Sequence, residues 1–186
     1  METDLNNIRA CIDGDNEAYR RLVQKYETQI ARLMWRFTRD RTECERLVQD
    51  VFVGAYLSLK SYKGQGPFLH WLKRIGTRTG YRFWKEQDKT RQVLQLEDFD
   101  TIEKSKQEEF DSAKAAEILH YLFARLPRAD RLVLTLMYFE ECSSEEIARR
   151  TGWSRVAVKM RVSRARKKLK NIAEKEKLQE KLEWMH

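Results

Sequence analysis

From Arg149 to Lys170 the chain carries Arg149, Arg150, Arg155, Lys159, Arg161, Arg164, Arg166, Lys167, Lys168 and Lys170 and no acidic residue. Such a run can neutralise phosphates, although a charged helix face is often no more than a solvated one. The frame around it favours binding. Ser143 and Glu146 have the spacing of a capping box, Gly152 stands where the chain must reverse, and Ser154 can cap the next helix. Val158, Val162, Ala165 and Leu169 then recur at spacings of four, three and four, which makes one apolar stripe. Lys159, Met160, Ser163 and Arg164 fall on the other side. Two helices joined by a tight turn, the second cationic, form a helix-turn-helix, whose recognition helix enters the major groove of DNA.

A second stretch mixes rings and cations: His70, Trp71, Lys73, Arg74, Arg78, Tyr81, Arg82, Phe83, Trp84 and Lys85. Bases of a single strand stack on rings while cations track the phosphates, so this composition suits unpaired nucleic acid. Phe68, Trp71, Leu72, Ile75, Thr79 and Phe83 stand at helical spacing, and Trp71 and Phe83 read as core. Tyr81 and Trp84 suit either the core or a stacked base.

The totals agree with a polyanionic partner. In 186 residues the net charge is +8 and the pI about 9.4. Charged residues make up 35%, with only seven Gly and two Pro, which favours helices over a β-rich or low-complexity chain. Cys11, Cys44 and Cys142 are far apart, odd in number and without C-x-x-C spacing. They point to buried thiols in a reducing compartment, not to a disulfide frame or zinc site. No apolar run approaches the roughly 20 residues of a membrane span, and no signal-peptide core opens the chain, so the protein is expected in the cytoplasm without membrane insertion. Phosphate loops, metalloprotease and hydrolase motifs, and His/Cys/Asp clusters at metal spacing are missing, so neither catalysis, a metal nor a cofactor is expected.

The elements that position these residues read as an all-α protein of two small helical domains joined by an acidic linker. A short helix carries Leu5, Ile8 and Ile12 and ends at Gly14. Asp15 caps a longer one, whose face holds Tyr19, Leu22, Val23, Tyr26, Ile30, Leu33, Met34 and Phe37. Thr42 and Glu45 form a second capping box. The helix they open, over residues 42–60, buries Val48, Val51, Phe52, Ala55 and Leu59 and points Glu45, Arg46, Gln49, Asp50 and Val53 outward. Gly64-Gln-Gly-Pro67 breaks the chain, with Pro67 at the first position of the aromatic-basic helix. The first domain covers residues 1–86. In a linker over 87–112, the stretch from Glu97 to Asp111 holds Glu97, Asp98, Asp100, Glu103, Glu108, Glu109 and Asp111 against Lys104 and Lys106. The second domain, 113–174, begins with Ala116, Leu119, Leu122, Phe123 and Leu126, passes Pro127 and a helix with Leu132, Val133, Leu136 and Met137, and ends in the helix-turn-helix. A helical tail over 175–186 closes the chain.

Three stretches together resemble the sigma-70 family of transcription initiation factors, of the extracytoplasmic-function (ECF) type. Glu45-Arg-Leu-Val-Gln-Asp-Val-Phe-Val-Gly-Ala-Tyr56 is similar to the family's D-L-V-Q-E-x-F-L-x-A-Y, and Phe68-Leu-His-Trp-Leu-Lys-Arg-Ile75 to its F-x-x-W-L-x-R-I. The third runs from Leu126-Pro127 through the helix-turn-helix, where Ser-x-E-E-I-A, G-x-S and V-K-x-R-x-S-R-A-R-K-K-L match, the last ending at Leu169. The resemblance implies that the first domain docks on the β′ coiled coil of core RNA polymerase through Glu45, Arg46, Gln49, Asp50 and Val53. Promoter DNA would be gripped at the −10 element by Trp71, Arg74, Arg78, Tyr81, Arg82, Trp84 and Lys85, with capture of an unstacked base. The second domain, near the β flap, would read the −35 element through Lys159, Met160, Ser163 and Arg164, with Arg155 and Arg166 on phosphates. The linker would thread the polymerase cleft, and a cognate anti-sigma factor would occlude one or both domains. Arg78 and Arg82 stand where the family commonly has Asn and Asp, which implies a divergent −10 preference or, as the stronger alternative, loss of melting; Arg46 stands where an acid is usual on the core-binding face, and Gly76 where Ala is common. An autonomous helix-turn-helix regulator and a nucleic-acid enzyme are the rival classes.

Overall fold

Asp15 begins the first long helix as its position predicts. Its Oδ1 accepts from the backbone amides of Glu17 at 2.9 Å and Ala18 at 3.2 Å, filling donors that a helix start leaves orphaned. The computed structural model describes residues 2–94, 119 and 121–175, and among these residues every regular element is helical. They fall into two units, one built chiefly of residues up to Trp84 and one chiefly of residues from Lys85 onward. Residues 95–118, with the whole acidic stretch over 97–111, the start of the second domain and its expected core residue Ala116, lie outside the described residues, as do residue 120 and the tail beyond Lys175.

The first unit contains α1 (Glu2–Ile12), α2 (Asn16–Met34), α3 (Arg41–Ser58) and α4 (Phe68–Leu94). Asp40, not Thr42, caps α3: its Oδ1 accepts from the Glu43 amide at 2.7 Å. A carboxylate at the positive end of a helix is a stronger acceptor than a hydroxyl. Thr42 therefore lies inside the first turn, and Glu45 pairs with Arg41 at 3.0 Å instead of closing a box. After Ser58 the chain tightens into a 3-10 turn over Leu59–Ser61. Pro67 stands just ahead of α4, one position earlier than expected, with its carbonyl accepting from the His70 amide at 3.0 Å. The helix then continues past Glu86 to Leu94, into the segment expected to be linker.

Leu22, Ile30, Leu33, Met34, Phe37, Leu47, Val51, Phe68 and Leu72 are buried together, each stabilising the unit by about 1.5–3 kcal/mol. Gly76 and Gly80 let α4 approach this core. A Cβ at Gly76 would sit 2.9 Å from Leu33 Cδ2, and one at Gly80 would overlap the Phe37 ring. Glycine at 76 thus fits the packing of this chain.

The second unit holds a helical stretch at 121–124, α5 (Arg128–Tyr138), α6 (Ser144–Thr151) and α7 (Arg155–Lys175). Leu132, Val133, Leu134, Thr135 and Leu136 are all buried, so α5 is covered nearly all round and forms the centre. Ile147 of α6 and Val158, Val162 and Ala165 of α7 complete the core, with Leu122, Phe123 and Leu126 ahead of α5.

Candidate nucleic-acid interface

The capping box that opens α6 is closed in both directions. The Ser143 amide donates to Glu146 Oε2 at 2.8 Å, and the Glu146 amide to Ser143 Oγ at 3.2 Å. Gly152 turns the chain with φ +81, a left-handed conformation that suits glycine, and Ser154 Oγ accepts from the Ala157 amide at 3.2 Å to start α7. These local bonds set where α6 and α7 begin. With Val158, Val162 and Ala165 turned inward, Arg155, Lys159, Met160, Ser163, Arg164 and Arg166 are exposed.

Not every cation of the run is equally available. Arg166 Nε donates to the Tyr138 hydroxyl at 2.9 Å, with its guanidinium 5.7 Å from that ring. Arg161 lies 4.5 Å over the Trp153 indole. Lys168 Nζ pairs at 2.7 Å with the buried carboxylate of Asp130 on α5. Lys159 and Arg166 also overlook an open cleft of about 470 Å³, lined further by Met137, Ser144, Val162 and Ser163.

On α4, Arg74, Arg78, Arg82 and Lys85 are exposed, and Tyr81 and Trp71 are half-buried. At roughly 100° per residue these six share one side of the helix. Trp71 leans on Tyr62 and Phe68, each with ring centroids 5.4 Å away. Trp84 does not belong with them. It is 2% exposed, its Nε1 donates to the Phe37 carbonyl at 2.7 Å, and its ring packs 4.7 Å from that of Phe37. The expected stacking role for Trp84 is therefore corrected: it lies roughly 120° round the helix from Arg78, on the core side.

On α3, Glu45, Arg46, Gln49 and Val53 are exposed and Asp50 is half-buried. Arg46 is held in place, bridging Glu43 at 2.7 Å and Asp50 at 3.1 Å along the helix and lying 5.8 Å over the Phe83 ring. Tyr56 and Leu57 extend this face, Leu57 at 78% exposure. The sequence reading missed both, although they follow Val53 by three and four residues on the side opposite Val51 and Ala55. Tyr19 of α2 orients the helix by donating to the Phe52 carbonyl at 2.5 Å, and burial pushes its phenol pKa well above the usual range.

Among the described residues no group of three or more His, Cys, Asp and Glu is placed to hold a metal ion, and no helix is long and apolar enough to cross a membrane. The arrangement offers cationic, groove-sized helix faces and one mixed polar-apolar helix face.

Comparison with known proteins accounts for this layout. A sequence model of sigma-70 region 2 matches residues 22–90, and one of sigma-70 region 4 matches residues 111–169. The RNA polymerase sigma-H factor of Pseudomonas aeruginosa is 30% identical over 176 residues, covering 89% of this chain and 91% of the relative. The ECF RNA polymerase sigma-E factor of Haemophilus influenzae is 28% identical over 183 residues, covering 91% and 94%. CnrH, solved in complex with the cytosolic domain of CnrY, is 25% identical with a TM-score of 0.60, covering 92% of this chain and 97% of that one. The sigma factor RpoE of Bartonella quintana, solved with the anti-sigma factor NepR, shares the fold at 19% identity and a TM-score of 0.59, covering 84% and 96%. The chain belongs to the extracytoplasmic-function group of the sigma-70 family, the alternative sigma factors that direct RNA polymerase to promoters.

Proposed function

We propose that this sigma factor holds core polymerase through the outward face of α3 and reads the −35 element with α7. The observation that carries this reading is the division of α7 into a buried stripe and an exposed face of Lys159, Met160, Ser163 and Arg164, within a stretch lacking any acid. Lys159 and Arg164 can each address a base edge, while Arg155 and Arg166 serve phosphates; Arg166, tethered to Tyr138, suits positioning more than reading. Along α4, Arg74, Arg78, Arg82 and Lys85 follow the −10 backbone. Trp71 and Tyr81 remain the rings on that side for an unstacked base, so melting needs no ATP.

Arg78 and Arg82 put two exposed cations where the family resemblance implies Asn and Asp, which supports a −10 preference weighted towards phosphate contact. On α3 the docking surface combines Glu45, Arg46, Gln49 and Asp50 with Val53, Tyr56 and Leu57 for the β′ coiled coil. The division of labour follows residues 1–86 and 113–174, with the acidic linker in the polymerase cleft, the second domain near the β flap and the whole at work in the cytoplasm. Its work is recognition and melting, without catalysis of its own. CnrH and RpoE were each solved with a protein partner, RpoE's being an anti-sigma factor, and a cognate anti-sigma factor fits the same surfaces here.

Footprinting of holoenzyme on selected promoters tests the residue assignments. Lys159→Ala and Arg164→Ala should each weaken −35 protection, by about 1–3 kcal/mol where a bidentate base contact is lost. An equal loss on all sequences would assign them to phosphates instead.

A further inference from the structure

Two large apolar side chains stand uncovered in the cationic half of α7. Val156 is 67% exposed and Met160 is 58% exposed. They are four residues apart, so they lie one above the other on one side of the helix. At roughly 100° per residue, both project within about 30° of the direction opposite the Val158–Val162–Ala165 stripe. They therefore sit on the most outward line of the helix, with Ser163 beside them and Lys159 and Arg164 on either flank. Val156 was not among the residues that the sequence singled out.

This is an unusual place for valine. A β-branched side chain near the start of a solvated helix is a poorer helix former than the lysines and arginines around it, and it leaves apolar surface in water. The flanking cations say what covers it: a polyanion. In the major groove the apolar group on offer is the 5-methyl of thymine, which side chains of this kind contact. Resting on the reading that α7 enters the −35 groove, we propose that Val156 and Met160 form an apolar reader for thymine methyl groups, setting specificity within the −35 element alongside the polar contacts of Lys159 and Arg164.

The test uses full-length protein as holoenzyme with core polymerase. A −35 element is first selected from a randomised duplex pool, and each thymine in it, on either strand, is then replaced by deoxyuridine, which removes only the methyl group. Wild-type holoenzyme should lose roughly three- to fivefold in affinity at one or two positions, the factor expected for one buried methyl. Val156→Ala or Met160→Ala should bind the thymine and deoxyuridine duplexes equally at the matching position. Both residues are exposed, so folding is not at stake, and an unchanged melting temperature verifies it.

Equal binding of the two duplexes by wild type at every position, or a selected element without thymine, overturns the proposal while leaving −35 reading by α7 intact. Loss of holoenzyme assembly in Val156→Ala, with no deoxyuridine effect in wild type, overturns it in favour of a protein contact. Absence of any −35 selectivity sinks both the proposal and the reading on which it rests.

Discussion

Trp84 Nε1 donates to the backbone carbonyl of Phe37 at 2.7 Å, joining residues 47 apart in the chain across the core of the first unit. The bond ties α4 to the turn that follows α2 and takes the most C-terminal ring of the aromatic-basic stretch away from nucleic acid. Trp84→Phe, which leaves that buried carbonyl without its donor, should lower stability by about 1–3 kcal/mol, and Trp84→Ala by about 3–5 kcal/mol. Urea unfolding of the full chain measures both. A variant of unchanged stability with weakened −10 binding would return Trp84 to the DNA surface.

Asp4 makes the first unit sensitive to acid. Its burial raises the carboxyl pKa, but hydrogen bonds from Lys25 and Tyr26, each at 2.6 Å, outweigh that and hold it below the usual carboxylate range. A group lowered in the folded state contributes stability above its unfolded pKa of about 3.9, and that contribution is lost as pH falls through the lower folded value. Wild type should therefore lose its margin over Asp4→Asn progressively as pH falls below about 4. Denaturation curves across that range check this; a constant difference would mean that the carboxylate charge contributes nothing.

The α3 face should be separable from the fold. Asp50 is half-buried and paired with Arg46, and Leu57 is exposed. Asp50→Arg places two cations four residues apart and removes the pair, at a cost to stability of only about 0.5 kcal/mol for an exposed helix pair. It should still weaken assembly with core polymerase at least about tenfold, equivalent to 1.4 kcal/mol, as for a residue at the centre of an interface. Leu57→Ala should act in the same direction. Native gel titration with core polymerase measures the effect, and wild-type assembly would remove these residues from the interface.

Lys168 and Lys159 belong to one basic run yet should behave differently. Lys168 neutralises the buried Asp130 carboxylate at 2.7 Å, so Lys168→Met should lower the melting temperature of the protein, by about 1–3 kcal/mol in stability. The half-exposed ammonium keeps the loss below that of a fully buried pair. Lys159→Ala should leave stability unchanged and reduce the salt dependence or sequence preference of DNA binding. The reverse pattern would exchange their roles.

Features set by neighbours in sequence were legible before the fold was known. Ser143 with Glu146, Gly152, Ser154 and Asp15 act within a few residues, and the apolar stripe of α7 needs only helical periodicity. The start of α3 was misplaced because Thr42 and Glu45 mimic a capping box, while Asp40, a better acceptor, lay two residues earlier. Trp84 was ambiguous because rings serve cores and bases alike. Its spacing of four from Gly80 and eight from Gly76 marks the face where Gly80 admits Phe37 and Gly76 admits Leu33, and that signal was present. The partners of Lys168 and Arg166 lie 38 and 28 residues away, and no local pattern announces them. Val156 was overlooked because an exposed valine has no period of its own.

Run-off transcription with purified core polymerase on a pool of random promoters tests the central claim most directly, since it requires docking, recognition and melting together. The two helical units should give transcripts starting at a fixed distance from a shared pair of −35 and −10 sequences. Transcripts whose start sites are unchanged by adding the protein, or no association with core polymerase, would contradict it.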